Sequence, residues 1–305
     1  IKDGDYAGVQ VDTSSVRVYE TDYAAHVLGY TGSIQDWDDY KDKPGYTLAS
    51  IVGISGAESA FEEYLHGNAG KRLVTFDNDS GKITGELYSV EPKPGSTVAL
   101  TIDIDFQEDV EQSLERTVGA MTKADGIERG AAVAVVQVGT GDVLALASYP
   151  TYSLSTFRQD IAALSSDSVR RPLWNRATQA SYAPGSTYKM CTLIAAMENH
   201  DKYGKVLYEP GEIIRDTGYF NHDADGFANF HPTCLYYSST KGMATHGDLT
   251  AQAALRVSCN LFFYELGFRL TIGMLDETAK GLGLGEPTGI ELTEKVGWRS
   301  NEDSK

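Results

Sequence analysis

Two short apolar segments separated by a tight turn constrain the fold of this chain more than any other feature. Residues 132–138 and 143–147 consist almost entirely of valine, alanine and leucine, and Gly139-Thr140-Gly141-Asp142 lies between them. Apolar runs of this length next to glycine predict two antiparallel strands with a buried face. We therefore expect a central hairpin.

The residues before this hairpin predict a linker and a long helix. Prolines and a glycine make residues 91–95 the best candidate for a domain boundary. Residues 98–102 then predict a strand, and apolar residues at four-residue intervals predict an amphipathic helix. Those residues are Phe106, Val110, Leu114 and Val118. Before the linker, residues 54–65 predict a helix and residues 72–87 a hairpin with its turn at 78–81.

Beyond the central hairpin, one segment brings a hydroxyl and an amine together. Ser186 and Lys189 follow Pro184-Gly185 and lead into apolar residues at helical spacing, namely Met190, Leu193, Ile194 and Met197. Ser186 is therefore expected at or near a helix start, with Lys189 on the same face. A serine becomes a nucleophile when a base takes its proton, and a lysine whose pKa is lowered can be that base. The alternative is a serine that caps the helix beside a solvated lysine.

A second polar group interrupts an apolar stretch further on. Ser258-Cys259-Asn260 separates residues 249–257 from residues 261–267, and both flanking segments predict helices. Serine and asparagine are good helix caps, which is one explanation. The functional interpretation is a second serine and an amide that point into a cleft.

The formal net charge of −17, from 43 acidic and 26 basic residues, restricts the partners of this chain. Nucleic acids and anionic membrane surfaces both attract basic proteins, so neither is an expected partner. No apolar run is long enough to span a bilayer, and no signal peptide is visible. Because the chain starts at Ile1-Lys2-Asp3 and stops within the polar residues 300–305, we expect it to be a piece of a longer protein.

The three cysteines do not predict a disulfide scaffold, because three cannot all pair and no C-x-x-C is present. We interpret Cys191 and Cys259 as packed thiols. The loop before Ser258 contains residue types that bind zinc: His222, Asp223, Asp225, His231, Cys234 and His246. Their spacing is irregular, so we interpret this loop as structural and predict no metal site.

Ser186-x-x-Lys189 followed by Ser258-x-Asn260 resembles the active-site motifs of class B penicillin-binding proteins, the D,D-transpeptidases that cross-link peptidoglycan. The likeness extends along nearly the whole chain. Residues 172–177 and 182–189 resemble the segment that leads to the active-site serine in this family. Residues 245–247 and 257–267 resemble the corresponding segments of Gram-positive members. Residues 24–30 and 63–67 resemble the non-catalytic pedestal domain.

This resemblance implies an α+β fold in two domains. Residues 1–95 would form a small α+β pedestal of the dimerisation type. Residues 96–305 would form a transpeptidase domain like that of penicillin-binding proteins and serine β-lactamases, with helices around a central antiparallel sheet. The family's third motif, K-[ST]-G, should lie well downstream of Ser258. Lys295-Val296-Gly297 comes too soon, so we reject it and expect the chain to end before its catalytic domain does.

The resemblance also implies roles for the site residues. Ser186 would attack the penultimate carbonyl of a peptidoglycan stem peptide, with neutral Lys189 as its base. Ser258 would relay a proton towards the leaving amine, and Asn260 would hold Lys189 or the substrate amide. β-Lactams would acylate Ser186, and no metal or organic cofactor would be required.

The family further implies cell-wall synthesis partners bound through the pedestal and a location on the outer face of the bacterial cell membrane. Contact with the membrane would come only through an N-terminal anchor absent from these residues, and no nucleic acid would bind. Three alternatives remain open: a serine β-lactamase, a β-lactam sensor, and a non-enzymatic cell-wall assembly scaffold.

Overall fold

A computed structural model describes residues 17–77 and 83–302 of the chain. Its contacts divide the chain into two compact units. The first runs to Ala180 and includes Ile290–Glu294, and the second comprises Ser181–Gly289 with the residues from Lys295 onward.

Within its described residues, the first unit alternates helices with three antiparallel strand pairs. Its elements are α1 (Ala25–Leu28), β1 (Thr31–Ser33), β2 (Ile51–Gly53), α2 (Gly56–Ala60), α3 (Glu62–Leu65), β3 (Lys71–Phe76), β4 (Ile83–Val90), α4 (Ile104–Asp125), β5 (Ala131–Val136), β6 (Val143–Tyr149), α5 (Phe157–Ser166) and α6 (Arg176–Gln179). Strands β1 and β2, β3 and β4, and β5 and β6 pair in turn.

The second unit is mainly helical. Its elements are α7 (Lys189–Glu198), β7 (Ile214–Asp216), α8 (Leu235–Ser239), β8 (Gly247–Leu249), α9 (Ala251–Val257), α10 (Asn260–Arg269) and α11 (Ile272–Gly281). Strands β7 and β8 form one short antiparallel pair. In the parts of the chain that the structure describes, no helix has the length and apolar character needed to cross a membrane.

The predicted central hairpin is confirmed as β5 and β6, with Ala134 opposite Leu146. Ala145, Leu146 and Ala147 of β6 are buried, and α4 packs against this strand. Helix α4 begins where the side chain of Asp103 accepts a hydrogen bond from the backbone N–H of Phe106 (3.1 Å).

The predicted amphipathic helix is confirmed as α4, but its predicted apolar face is wrong at Phe106. Helix α4 buries Gln107 and Val118, whereas Phe106 is 39% exposed. A repeat of four residues drifts around a helix of 3.6 residues per turn, so the stripe from Phe106 to Val118 cannot face one neighbour throughout. The buried polar residue Gln107 takes the position that the sequence pattern gave to Phe106.

Two further predictions before the hairpin need correction. Residues 98–102 form no strand, because they meet the start of β6 at isolated points such as the bond from Thr101 Oγ1 to the carbonyl of Val143 (2.8 Å). The helix predicted over 54–65 is divided into α2 and α3 at Phe61, which leaves helical geometry (φ −111°, ψ 19°). The predicted hairpin is confirmed in β3 and β4, while its turn lies outside the described residues.

A buried apolar cluster holds the second unit together. Tyr208, Leu261, Phe262 and Leu266 are at most 1% exposed, and α7 packs against α10 and α11. The hydroxyl of Tyr208 is satisfied because it donates to the carbonyl of Glu212 (2.8 Å) and accepts from the N–H of Ala251 (3.0 Å). This packing fixes the start of α7 beside the start of α10.

Candidate active site

Ser186 lies in a short 3₁₀ turn, Gly185–Tyr188, that leads directly into α7. Gly185 has a φ of +56°, a left-handed conformation that favours glycine. This turn leaves Ser186 exposed and makes the half-buried Lys189 the first residue of α7. The prediction that Ser186 lies at or near a helix start is confirmed.

Ser258 and Asn260 lie where α9 ends and α10 begins, as the sequence predicted. Ser258 has φ 51° and ψ 42°, a left-handed conformation that is uncommon for residues other than glycine. The bend turns the backbone carbonyl and the hydroxyl of Ser258 towards the same neighbour, Lys189. Strained backbone of this kind is concentrated at functional sites.

One amine joins these residues. Nζ of Lys189 donates hydrogen bonds to the carbonyl of Ser258 (2.7 Å), to Ser258 Oγ (3.0 Å) and to Oδ1 of Asn260 (2.7 Å). Ser258 Oγ in turn donates to Ser186 Oγ at 3.0 Å. The four residues proposed from the sequence therefore form one continuous hydrogen-bonded chain.

The pKa of Lys189 is lowered by burial, while its hydrogen bonds still favour the ammonium form. Burial lowers the pKa of Lys189, although thiolate forms of Cys259 and Cys234 would raise it. The three acceptors around Nζ match the three N–H groups of an ammonium, although, being uncharged, none of them stabilises it as strongly as a carboxylate would. The ring of Phe263, whose centroid is 5.5 Å from Nζ, was not singled out from the sequence. Its spacing of three residues from Asn260 on a helix was the available signal.

The rejected third motif lies apart from this chain of contacts. Residues 295–297 adopt irregular backbone, and Lys295 and Val296 are exposed. The assignment of K-[ST]-G to residues beyond 305 stays a prediction.

Four side chains with metal-binding atoms meet behind Ser258. They are Asp216, Cys234, His246 and Cys259, whose ligand atoms all lie within 4.8 Å of one another. Sγ of Cys234 is 3.8 Å from Sγ of Cys259 and 3.6 Å from Nδ1 of His246. The sequence had singled out Cys234 and His246 as ligand types but not Asp216, which is buried at the end of β7.

This donor set fits a tetrahedral divalent cation such as zinc. Zn–S bonds of about 2.3 Å and Zn–N bonds of about 2.0 Å give S···S edges of about 3.8 Å and S···N edges of about 3.6 Å. Both values match the distances between these atoms. A cation here would hold Cys259 in place, and with it the backbone of Ser258 and Asn260.

Two side chains of this cluster, Asp216 and Cys259, differ in their protonation state. Burial raises the pKa of Asp216, but hydrogen bonds from the backbone of His246 and Gly218 and from the side chains of His246 and Cys259 outweigh it and leave that pKa lowered. Burial also raises the pKa of the Cys259 thiol to about 12. Without a cation, therefore, Asp216 is a carboxylate and Cys259 keeps its proton.

The other four candidate ligands of the loop lie elsewhere. His222 is held between Asp225 (2.8 Å) and Glu265 (2.9 Å), and its ring stacks on Phe268. His231 pairs with Asp223 at 2.6 Å. These contacts tie the loop to itself and to α10.

Comparison with known families explains this arrangement. The family model described as the penicillin binding protein transpeptidase domain matches residues 131–302, more than half of the chain. The chain belongs to the penicillin-binding protein family. A second model of this family, the penicillin-binding protein dimerisation domain, matches residues 2–100.

Named relatives support the same membership. The peptidoglycan D,D-transpeptidase MrdA of Acinetobacter baumannii is 30% identical over 98% of this chain and 42% of that protein. The chain thus spans about two fifths of the length of this relative. A chain from the structure described as "Structural coordination of polymerization and crosslinking by a peptidoglycan synthase complex" is 29% identical, with a TM-score of 0.74 over 94% of this chain and 48% of its own. Penicillin-binding protein 2 of Helicobacter pylori, solved in complex with MreC, is 26% identical, with a TM-score of 0.67 over 90% of this chain and 46% of its own.

These likenesses confirm the predicted fold class, an α+β transpeptidase domain preceded by a dimerisation-type pedestal. The boundary near residue 95 stays a prediction, because the two matched ranges leave residues 101–130 unassigned. The likeness of residues 245–247 and 257–267 to Gram-positive members also stays a prediction.

Proposed function

We propose that the protein containing this chain is a peptidoglycan D,D-transpeptidase that works through an acyl-enzyme on Ser186. The observation that carries the proposal is the hydrogen-bonded chain from Ser186 through Ser258 to Lys189 and Asn260. A nucleophile, a proton relay, a base and an orienting amide are the groups that acyl transfer needs.

In the acylation step, Ser186 Oγ attacks the carbonyl before the terminal residue of a stem peptide. The contacts favour a proton path through Ser258, because Lys189 bonds Ser258 Oγ and Ser258 Oγ bonds Ser186 Oγ. Hydroxyl hydrogens rotate freely, so Ser186 can pass its proton to Ser258 while Ser258 passes its own to neutral Lys189. This path differs from direct transfer to Lys189, which the resemblance implied.

The same chain of bonds can return the proton. After the tetrahedral intermediate forms, the ammonium of Lys189 gives a proton through Ser258 to the leaving amine, and the terminal D-Ala departs. An amine of a neighbouring stem then attacks the acyl-enzyme, with Lys189 again as the base. Asn260 Oδ1 holds Nζ in place throughout these transfers.

The position of Ser186 also suits negative charge. Backbone N–H groups at the start of the ten-residue helix α7 favour a developing oxyanion. We assign one oxyanion-hole donor to the N–H of Ser186 and the second to the K-[ST]-G strand, which we place beyond residue 305.

The substrates follow from this chemistry and from the relatives. Stem peptides are the natural donors and acceptors, and β-lactams are covalent inhibitors of Ser186. Cell-wall synthesis partners would bind through the pedestal on the outer side of the cytoplasmic membrane. The Helicobacter pylori relative was solved in complex with one such protein, MreC.

Intact-protein mass spectrometry of the full-length protein with benzylpenicillin tests the proposal. We expect one stable adduct, mapped to Ser186 and absent from Ser186→Ala. Thr187→Ala is a matched control, because Thr187 Oγ1 donates to the carbonyl of Pro184 within the same turn (2.6 Å). It should keep the adduct.

Three results would overturn the proposal. An adduct on another residue would exclude Ser186 as the nucleophile. Rapid turnover of benzylpenicillin would favour the serine β-lactamase. No adduct and no cross-linking of stem peptides by folded full-length protein would favour the assembly scaffold.

A further inference from the structure

A cleft of about 640 Å³ lies in the first unit, between α3 and the loop that precedes β2. Its volume falls within the range of about 300–1,000 Å³ that is typical of small-molecule sites. The lining combines the aromatic rings of Tyr40, Tyr46 and Tyr64 with polar groups such as Asn68 and Ser96. The proposed reaction uses none of these residues, so the cleft has no role in it as described.

Backbone hydrogen bonds fix one side of this cleft. The N–H of Asn68 donates to the carbonyl of Lys93 (2.8 Å), and the N–H of Lys93 donates to the carbonyl of Asn68 (2.9 Å). The N–H of Ser96 donates to the carbonyl of Tyr64 (2.7 Å). Gly67, at φ +71°, has no room for a side chain, because a Cβ there would lie 2.5 Å from the carbonyl oxygen of Lys93. Folding itself therefore forms this side of the cleft.

The aromatic rings of the cleft are also held in place. Tyr46 stacks on His66 with ring centroids 3.9 Å apart, and Tyr40 lies 5.0 Å from Tyr46. Oε1 of Glu62 accepts from the hydroxyl of Tyr46 (3.3 Å) and lies 3.0 Å from Nδ1 of His66. The other oxygen of Glu62 accepts from the N–H of Gly53 (2.7 Å). Burial and the charge of Glu62 raise the pKa of Tyr46 to about 12, so its hydroxyl keeps its proton.

Tyr64 presents an aromatic surface that the protein leaves uncovered. It lines the cleft and is 61% exposed. Sugar rings carry C–H groups on their faces, which pack against aromatic rings, and hydroxyls at their edges, which need hydrogen-bond partners. Asn68 offers a carbonyl oxygen and an NH₂ group, and Ser96 offers a hydroxyl. The cleft thus provides both kinds of contact that a sugar needs.

The charges of the cleft disfavour other classes of ligand. Both oxygens of Glu62 already have partners, so this carboxylate is not available to a cation. In the described lining, Lys43 and Glu63 are both exposed and have opposite signs, so neither a cation nor an anion gains from the pair. A lipid chain would bury polar groups such as Asn68 without partners, at a cost in free energy. An uncharged ligand with apolar faces and polar edges fits best.

We propose that this cleft is a saccharide-binding site that holds a short segment of an N-acetylated glycan strand. The amide of Asn68 can both donate to and accept from the acetamido group of such a sugar. The identity of the glycan rests on the proposed function, because the stem peptides of peptidoglycan are attached to a strand of this kind. Holding the strand on the enzyme raises the effective concentration of the stem peptides attached to it.

Isothermal titration calorimetry of the full-length protein with chitotetraose, a tetramer of N-acetylglucosamine, tests the site. We expect saturable binding, and weaker binding of cellotetraose, which has hydroxyls in place of the acetamido groups. Tyr64→Ala should weaken chitotetraose binding at least about fivefold, whereas Tyr64→Phe keeps the ring and should stay within about twofold of wild type. Tyr203→Ala removes an 81% exposed tyrosine of the second unit and should bind as wild type does.

The outcomes separate the saccharide site from the proposed function. Folded protein that is acylated at Ser186 by benzylpenicillin but does not bind chitotetraose at about 10 mM would overturn the saccharide site alone. Protein that binds chitotetraose with the expected variant pattern but is never acylated would support the site and overturn the proposed function.

Two further results bear on the ligand and on its location. Equal affinities for chitotetraose and cellotetraose would overturn the assignment to an N-acetylated glycan. Equal affinities in Tyr64→Ala and Tyr203→Ala would place the binding outside this cleft. Thermal denaturation checks that each variant is folded, and the comparison of the two sugars on wild-type protein needs no variant.

Discussion

The neutrality of Asn260 matters more for the proposed chemistry than its ability to form a hydrogen bond. Its amide oxygen lies 2.7 Å from Nζ of Lys189, close enough for a charge at that position to control the base. Burial already lowers the pKa of Lys189, and a neutral acceptor preserves that effect. Asparagine thus orients the amine while stabilising its protonated form less than a carboxylate would.

Replacing Asn260 with aspartate should move the pH dependence of acylation to higher pH. A carboxylate at this distance favours the ammonium, so the pKa of Lys189 should rise and the neutral base should appear only at higher pH. The measurement is the benzylpenicillin acylation rate between pH 6 and pH 10, with Asn260→Ser as a neutral control. An unshifted profile in Asn260→Asp would show that Lys189 is not the base.

Ser258 has a strained backbone and also contributes a hydroxyl to the proposed proton path. Two substitutions separate these two properties. Glycine accepts φ 51° without penalty, whereas alanine does not, so Ser258→Gly should be more stable than Ser258→Ala by about 1 kcal/mol. Both variants lose the relay hydroxyl and should acylate about 10²–10⁴-fold more slowly than wild type. Urea denaturation and acylation rates test this, and near-normal acylation by Ser258→Gly would exclude the relay.

At the scale of elements, one buried amide fastens α4 to β6. Gln107 accepts from the N–H of Leu146 (2.7 Å) and donates to the carbonyl of Leu146 (2.9 Å) and to Glu111 (2.7 Å). The Gln107 side chain therefore supplies hydrogen-bond partners for both backbone groups of Leu146, as a neighbouring strand would.

Gln107→Leu should destabilise the protein by about 2 kcal/mol or more, because both backbone groups of Leu146 would lose partners in a buried site. Gln112→Leu, an exposed position on the same helix, should change stability by less than about 0.5 kcal/mol. Chemical denaturation of the two variants gives the comparison. Equal stabilities would mean that water or a shifted side chain replaces the amide.

The cluster of Asp216, Cys234, His246 and Cys259 joins the end of β7, the loop before β8 and the start of α10. It should bind one Zn²⁺. At a zinc concentration of 100 times Kd, binding should stabilise the folded protein by about 2.7 kcal/mol. Competition with a chromophoric zinc indicator would measure the affinity, which should fall strongly in Asp216→Asn but not in the exposed control Asp223→Asn. Equal affinity in these two variants would place the metal elsewhere.

At the scale of the whole molecule, charge determines how a ligand approaches. With 43 acidic and 26 basic residues, the chain repels anions such as the carboxylate that β-lactams carry. The proposed site must offset this repulsion locally, and Lys189 in its neutral form contributes no positive charge.

Acylation by benzylpenicillin should therefore accelerate with ionic strength, by about twofold between low salt and 0.5 M, because salt screens the repulsion. A β-lactam that also carries an amine and has no net charge should show little change. A benzylpenicillin rate that falls with salt would indicate a locally positive entrance that outweighs the charge of the whole chain.

The sequence by itself determined the central hairpin, the helix break at Ser258 and the four residues of the proposed site. Those features are encoded locally, by apolar periodicity and by polar residues at short spacing, and two motifs together specified the family. Predictions from the sequence were wrong where a segment's structure depended on distant partners. Examples are residues 98–102 and the apolar face of α4 at Phe106.

Only the tertiary structure decided which polar groups meet. Asp216, Cys234, His246 and Cys259 come from separate segments, so no local pattern could reveal that their ligand atoms converge within 4.8 Å. The order of the hydrogen bonds from Ser186 through Ser258 to Lys189 likewise depends on the packing of α7 against α10. Hydrogen bonds and ligand spheres require distances of a few ångströms between remote residues, and only the folded packing fixes such distances.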